Sequence, residues 1–139
     1  MPGGGTTDYA VDIYHQAVQG FNFVSFFIKG TMLPMMYMDD AIRATIELMQ
    51  ASTEKVKIRT SYNIAGCSFA PEDVTEAIQQ FYPHFQTSYS PDYRQSIADL
   101  WPKRIDDNRA REDWQWQPKY DLKLMTEDMI KHLAVKYQH

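Results

Sequence analysis

"LPMMYMDDAIRATIELMQA", residues 33–51, is the stretch on which the fold turns. A short apolar strand starts after Pro34 and gives way, at two consecutive aspartates, to a run with helical spacing. Ile42, Thr45, Ile46 and Met49 recur at intervals of three and four, which gathers them on one helical face. Asp39 and Asp40 stand at the helix start, where a side-chain oxygen caps free N–H groups and negative charge suits the helix dipole. Neighbouring residues on a helix point in different directions, so these two carboxylates do not share one proton and are read as caps rather than an acid–base pair. The methionines of "MLPMMYM" are read as gap-fillers of a buried strand rather than as metal ligands.

The same alternation continues on both sides. Downstream, "SYNIAGCSF" reads as a strand, and Ala70 and Pro71 open a helix with Pro at its first position and Glu72 and Asp73 in the first turn. That helix runs to about Phe81 and stops before Pro83. "FQTSYS" reads as a strand, "DYRQSIADLWP" as a short helix ended by Pro102, and "DDNRAREDWQW" as a short capped helix. The last helix, "DLKLMTEDMIKHLAVKY", carries Leu122, Met125, Met129, Leu133 and Tyr137 along one side. Upstream, Thr6, Thr7 and Asp8 form a cap cluster after the glycines at 3–5, Tyr9, Ile13, Ala17 and Val18 fall at helical spacing, and Gly20 closes the helix. "FNFVSFFI" follows as a strand. Strand and helix signals that alternate in this way predict an α/β or α+β layer arrangement in a single domain over 1–139.

Composition narrows the function. The 139 residues are 44% hydrophobic and 14% aromatic, enough for a packed core, and the net charge of -4 gives no electrostatic case for nucleic acid. Cys67 is alone, so no disulfide forms within the chain and no cysteine-based zinc site is built. A reducing, cytoplasmic setting is expected, or a mitochondrial one if a targeting segment lay upstream. No apolar run approaches the roughly 20 residues of a membrane helix, so no membrane partner is expected.

Chemistry is sparse. His15, His84, His132 and His139 pair with nothing at metal-ligand spacing, and His15, His132 and His139 read as solvent-facing. No G-x-G-x-x-G follows a strand. Trp101 has two readings, a core residue by default and a pocket wall as the rival. Thr7 is a helix cap or a ligand hydroxyl, and one residue can serve both ends because helix N-termini attract anions.

Taken together, "PGGGTTDYAV", "LPMMYMDDAIRAT", "RQSIADLWP", "DDNRAREDWQW" and "MTEDMIKHL" resemble, in order and separation, the C-terminal part of L-threonine dehydrogenases of the extended short-chain dehydrogenase/reductase type, which are similar to sugar-nucleotide epimerases. The resemblance implies a C-terminal substrate-side lobe whose nucleotide-binding half is missing. In the whole enzyme it implies oxidation of the β-hydroxyl of L-threonine to 2-amino-3-oxobutyrate with NAD as hydride acceptor, through a catalytic Tyr and its Lys. None of the nine tyrosines here has Lys four positions on, so no catalytic residue is expected in this chain. NAD is expected only in the full-length enzyme, and the chain alone is expected to be inactive. By the same resemblance Thr6 and Thr7 present hydroxyls to the carboxylate or amino end of threonine and Trp101 closes the apolar side. Arg94 is a surface ion pair or a guide for the carboxylate. Gln115 takes a place where the superfamily usually has Gly, so it adopts a left-handed conformation or the turn is reshaped. Uncovered apolar strands predict self-association. An epimerase-like lobe that binds a sugar nucleotide, and a non-catalytic interaction domain, are the alternatives.

Overall fold

The structure is a computed structural model and describes residues 5–137. Six helices and four short strands alternate along the described residues: α1 (Tyr9–Val18), β1 (Phe23–Ser25), β2 (Leu33–Met35), α2 (Met38–Gln50), β3 (Cys67–Phe69), α3 (Pro71–Gln79), β4 (Thr87–Tyr89), α4 (Arg94–Ala98), α5 (Asn108–Trp114) and α6 (Leu122–Tyr137). The strands form two separate pairs. β1 lies parallel to β4, with Phe23 opposite Thr87, and β2 lies antiparallel to β3, with Leu33 opposite Phe69 and Met35 opposite Cys67. The arrangement is the expected α/β class, but each strand is three residues long. "FNFVSFFI" is strand only at 23–25, Pro34 lies inside β2 rather than ahead of it, and "SYNIAGCSF" forms a ladder only from Cys67. A strand lasts as long as its partner does, and each partner here is short.

Two apolar clusters hold the elements. The larger joins α1, α3 and α6 through Tyr9, Ile13, Ala17, Val74, Ile78, Met125, Ile130 and Leu133, with Phe23, Phe27, Leu33, Phe69 and Phe85 from the strands and loops. Polar bonds tie the first helix to the last: Tyr14 Oη to Thr126 Oγ1 at 2.7 Å, and His15 Nδ1 to Tyr137 Oη at 2.8 Å. Half-buried His15 is thus a structural partner rather than a solvent-facing residue, whereas His132 is exposed and His139 lies outside the described residues. The buried side of α6 is Met125, Thr126, Ile130 and Leu133; Leu122 and Met129 are half-buried and Tyr137 faces out. The smaller cluster is Ala44, Ala110, Trp114 and Trp116, with Met36, Leu48, Tyr62 and Ile64 against it.

The helix that anchors the sequence reading turns out differently from its pattern. Its buried face is Asp40 and Ala44, with Leu48 half-buried, whereas Ile42, Thr45, Ile46 and Met49 face solvent, Met49 at 79% exposure. The N-cap is Tyr37, so Asp39 and Asp40 are the first-turn residues of α2 rather than its caps. Asp40 is 1% exposed and reaches across the chain. Its carboxylate accepts the backbone N–H of Lys119 at 2.9 Å and of Tyr120 at 2.9 Å, and the Arg43 guanidinium at 2.7 Å. Burial alone would raise this carboxyl, but the Tyr120 amide, Arg43 and the Lys119 amide outweigh burial and hold it below its ordinary value. Arg43 in turn lies over the Trp116 ring at 4.6 Å and donates to Gln117 O at 2.6 Å. The small Ala44 lets the tryptophans approach, so α2 turns its polar-looking face inward.

Two turns follow the sequence signals closely. Gly20 ends α1 at φ 79°, with the Phe21 N–H reaching Gln16 O at 2.9 Å. Gln115 ends α5 at φ 63° and ψ 35°, the left-handed conformation, and the Trp116 N–H bonds back to Ala110 O at 3.2 Å.

Candidate substrate-side site

The site begins at a turn. Asp8 Oδ2 accepts the Gly5 N–H at 2.8 Å, and Thr7 O accepts the Ala10 N–H at 3.1 Å as α1 starts. Asp8 is the N-cap residue, but no side chain caps the helix. The cap reading of Thr7 therefore fails as a side-chain role: among the described residues neither Thr6 nor Thr7 commits its hydroxyl to a hydrogen bond, and both are half-buried. Gly3 and Gly4 lie outside the described residues.

Aromatic packing carries this turn to α4. The Tyr9 ring stands edge-on to Phe27 at 5.4 Å and to Phe26 at 6.3 Å. Phe26 is the platform for Arg94, whose guanidinium carbon sits 3.3 Å from the ring centroid. Asp92 fixes the guanidinium in plane: Nε lies 3.0 Å from each carboxylate oxygen and Nη2 2.5 Å from Oδ2. Arg94 therefore makes the ion pair expected of it. The hydrogen bond to Asp92 raises its pKa, and the Tyr9–Phe26 and Phe26–Arg94 contacts put the start of α1 and the start of α4 at one corner of the molecule. Gln95, which sequence reasoning did not single out, locks that corner. Its Oε1 accepts the Ile28 N–H at 2.8 Å, and its Nε2 donates to Asp99 at 2.7 Å. The signal for Phe26 and Gln95 was present in "FNFVSFFI" and "RQSIADLWP", but nothing local shows that the two stretches meet.

Beneath the corner lies a polar group without a partner. Among the described residues the fully buried Tyr9 hydroxyl finds no hydrogen-bond partner, and neither does one oxygen of Glu72. Burial first, then the nearby Tyr14, Asp73 and Glu72, push the Tyr9 phenol far above its ordinary range, so it stays protonated.

Trp101 is not a core residue. It is 41% exposed, three residues past the end of α4, and only its backbone N–H is held, by Ala98 O at 3.1 Å. Leu100 beside it is 87% exposed. Tyr93, Ile97 and Ile105 are exposed near it in sequence. The structure thus brings the Thr7 turn and Arg94 to one corner through Phe26, and leaves Trp101 on an open apolar surface. A separate cleft of about 350 Å3 is lined by Met35, Met36, Gly66, Cys67, Arg104 and Asp107 among others, and by none of the four. Burial, then the charges of Asp121 and Asp40, push the Cys67 thiol up to about 11. Among the described residues no group of three His, Cys, Asp or Glu side chains could hold a metal, and no helix is long and apolar enough to cross a membrane.

No protein-family model matches the chain. An uncharacterized epimerase/dehydratase of Staphylococcus aureus is 52% identical over 136 residues, which is 97% of this chain and 42% of that protein. The holo form of a GalE-like L-threonine dehydrogenase from Cupriavidus necator is 56% identical with a TM-score of 0.92, over 96% of this chain and 43% of that one. L-threonine dehydrogenase from Phytophthora infestans is 46% identical with a TM-score of 0.93, over 98% and 44%. The chain thus spans less than half the length of the proteins it matches. In sequence and in fold alike, it is similar along almost its whole length to the carboxy-terminal portion of L-threonine dehydrogenases of the extended short-chain dehydrogenase/reductase type.

Proposed function

We propose that this chain is the substrate-side lobe of an NAD-dependent L-threonine 3-dehydrogenase and has no turnover alone. The observation that supports the reading is that Tyr9, two residues after Thr7, packs on Phe26, on which the Arg94 guanidinium also lies. Threonine brings a carboxylate and an ammonium group. Thr7, assisted by Thr6, donates to the carboxylate; Arg94 supplies a positive field there while it stays paired with Asp92. Trp101 covers the methyl side and excludes water once a nucleotide-binding half is in place. That half supplies the Tyr–Lys pair and NAD. There the Tyr would take the β-hydroxyl proton and NAD would serve as hydride acceptor, so that threonine would give 2-amino-3-oxobutyrate. The setting proposed is the cytoplasm, and the lone lobe self-associates through its uncovered apolar faces.

The test is a chimera in which the amino-terminal half of the Cupriavidus necator enzyme is joined covalently to this chain. Loss of a hydrogen bond to a charged group costs about 1.5–3 kcal/mol. Thr7→Ala in the chimera therefore lowers kcat/KM for threonine roughly 10- to 150-fold with little change in NAD affinity. Melting temperature stays unchanged, because the Thr7 side chain caps nothing. Threonine kinetics unaltered in both Thr7→Ala and Trp101→Ala would refute the assignment. The Staphylococcus aureus relative is named an epimerase/dehydratase, so the second reading is a sugar-nucleotide lobe; calorimetric titration with UDP-glucose decides it.

A further inference from the structure

Helix α4 does not hold itself in place. It is five residues long, too short to be stable in isolation, and Ala98 is its one buried residue. Its position is set by side chains that reach the loop after β1. Arg94 lies on Phe26, and the next residue, Gln95, reaches two positions further along the same loop. Gln95 Oε1 accepts the Ile28 N–H at 2.8 Å. That N–H is a fixed donor, so the oxygen end of the side-chain amide faces it and the nitrogen end is left to donate. Nε2 donates to Asp99 Oδ1 at 2.7 Å and to Thr31 Oγ1 at 3.2 Å. The Thr31 hydroxyl gives its own proton to Ile28 O at 2.9 Å.

Only an amide of this length completes the network. A Glu offers acceptors at both ends and turns a second negative charge on Asp99, a Leu offers neither donor nor acceptor, and an Asn is one methylene short. Two parts of the candidate site depend on the network. Phe26, the platform under Arg94, stands two residues before Ile28. Asp99 stands two residues before Trp101, and every residue from 99 to 106 is exposed, so packing does not fix the segment that carries the indole. The Gln95–Asp99 bond holds that segment at its start.

We infer that Gln95 is a positioning residue for threonine that acts through Arg94 and Trp101: its amide holds loop 26–31, α4 and the start of segment 99–106 in one arrangement. The inference rests on the proposed function for the identity of the substrate. Gln95 does not itself touch threonine, so its loss weakens binding and leaves the chemical step alone.

The test uses the covalent chimera and this chain by itself. In the chimera, Gln95→Glu removes the donor and raises KM for threonine about tenfold, with kcat and the KM for NAD within about twofold of wild type. Asp99→Asn is then added to the same variant. The new amide donates where the carboxylate accepted, the Glu accepts at both ends and the Thr31 hydroxyl turns to suit, so KM for threonine returns to within about twofold of wild type. In the lone chain, Gln95→Leu lowers the exchange protection of the Ile28 amide about tenfold, with a melting temperature lower by less than about 5 °C. Acrylamide quenching of its fluorescence rises as well, and Trp101 supplies that change because Trp114 and Trp116 are buried. A wild-type KM in Gln95→Glu, a kcat that falls in step with kcat/KM, or no recovery in the double variant overturns the inference. A chimera with native Gln95 that does not turn over threonine refutes the threonine reading instead, and the lone chain then decides the positioning role: unchanged Ile28 protection and unchanged quenching in Gln95→Leu overturn it.

Discussion

Replacing Asp40 by Ala removes a carboxylate that is 1% exposed and serves three donors: the amides of Lys119 and Tyr120 and the Arg43 guanidinium. Two part-buried N–H groups lose their acceptor, and Arg43 keeps Glu47 at 2.7 Å and the Gln117 carbonyl. Breaking a buried pair by removing one partner costs about 3–5 kcal/mol. Against a domain stability of about 5–15 kcal/mol this is a large share. At roughly 3–5 °C per kcal/mol for a chain of this size, the melting temperature falls by about 9–25 °C. The control is its neighbour. Asp39 is exposed and reaches only the Tyr120 hydroxyl, at 3.5 Å, so Asp39→Ala costs less than about 0.5 kcal/mol. Urea titration followed by tryptophan fluorescence reads both variants, since Trp114 and Trp116 sit in the cluster that Arg43 covers. In the wild type the Asp40 contribution is present above pH about 4, the ordinary carboxylate range, and is lost as pH falls through its lowered value. A cost for Asp40→Ala below about 1 kcal/mol, or no larger than that of Asp39→Ala, refutes the role given to this carboxylate.

Gln115→Gly relieves the left-handed strain at the end of α5 and raises stability by about 0.5–1 kcal/mol, measured by the same urea titration; a loss would mean that the Gln115 side chain makes a contact that matters. Cys67, pushed up to about 11 from 9.0, reacts with iodoacetamide roughly a hundredfold more slowly at pH 8 than it does in the urea-unfolded chain, because only the thiolate attacks. Its neutral form is favoured by folding, so its contribution to stability is complete below pH 9 and is lost as pH rises to about 11. A rate profile with its midpoint at 9 contradicts the burial described for this thiol.

Local chemistry was legible wherever it determines itself. The Pro71 helix start, the Gly20 stop and the strained Gln115 turn all depend on backbone preferences of a few residues, and each stands where the sequence put it. What the sequence did not hold was the identity of the neighbour. Periodicity marks Ile42, Ile46 and Met49 as one apolar face of α2, but it does not say whether anything within the chain covers that face. Asp40 looked like a cap because its partners, Lys119 and Tyr120, lie some eighty residues away. "SYNIAGCSF" had the pattern of a strand throughout, yet a ladder forms only where β2 supplies a partner. The corner of the candidate site follows the same rule: Tyr9, Phe26 and Arg94 lie in separate stretches of sequence, and only tertiary packing joins them.

The closure of α1 against α6 has a consequence for the order in which the molecule can be made. Tyr14 meets Thr126 at a sequence separation of 112 and His15 meets Tyr137 at 122, so the main core is sealed by the first helix and the last. During synthesis Tyr9, Ile13 and Ala17 wait without their cover until nearly the whole lobe has left the ribosome. A stop codon ahead of Leu122 therefore yields a chain that lacks the helix closing its core.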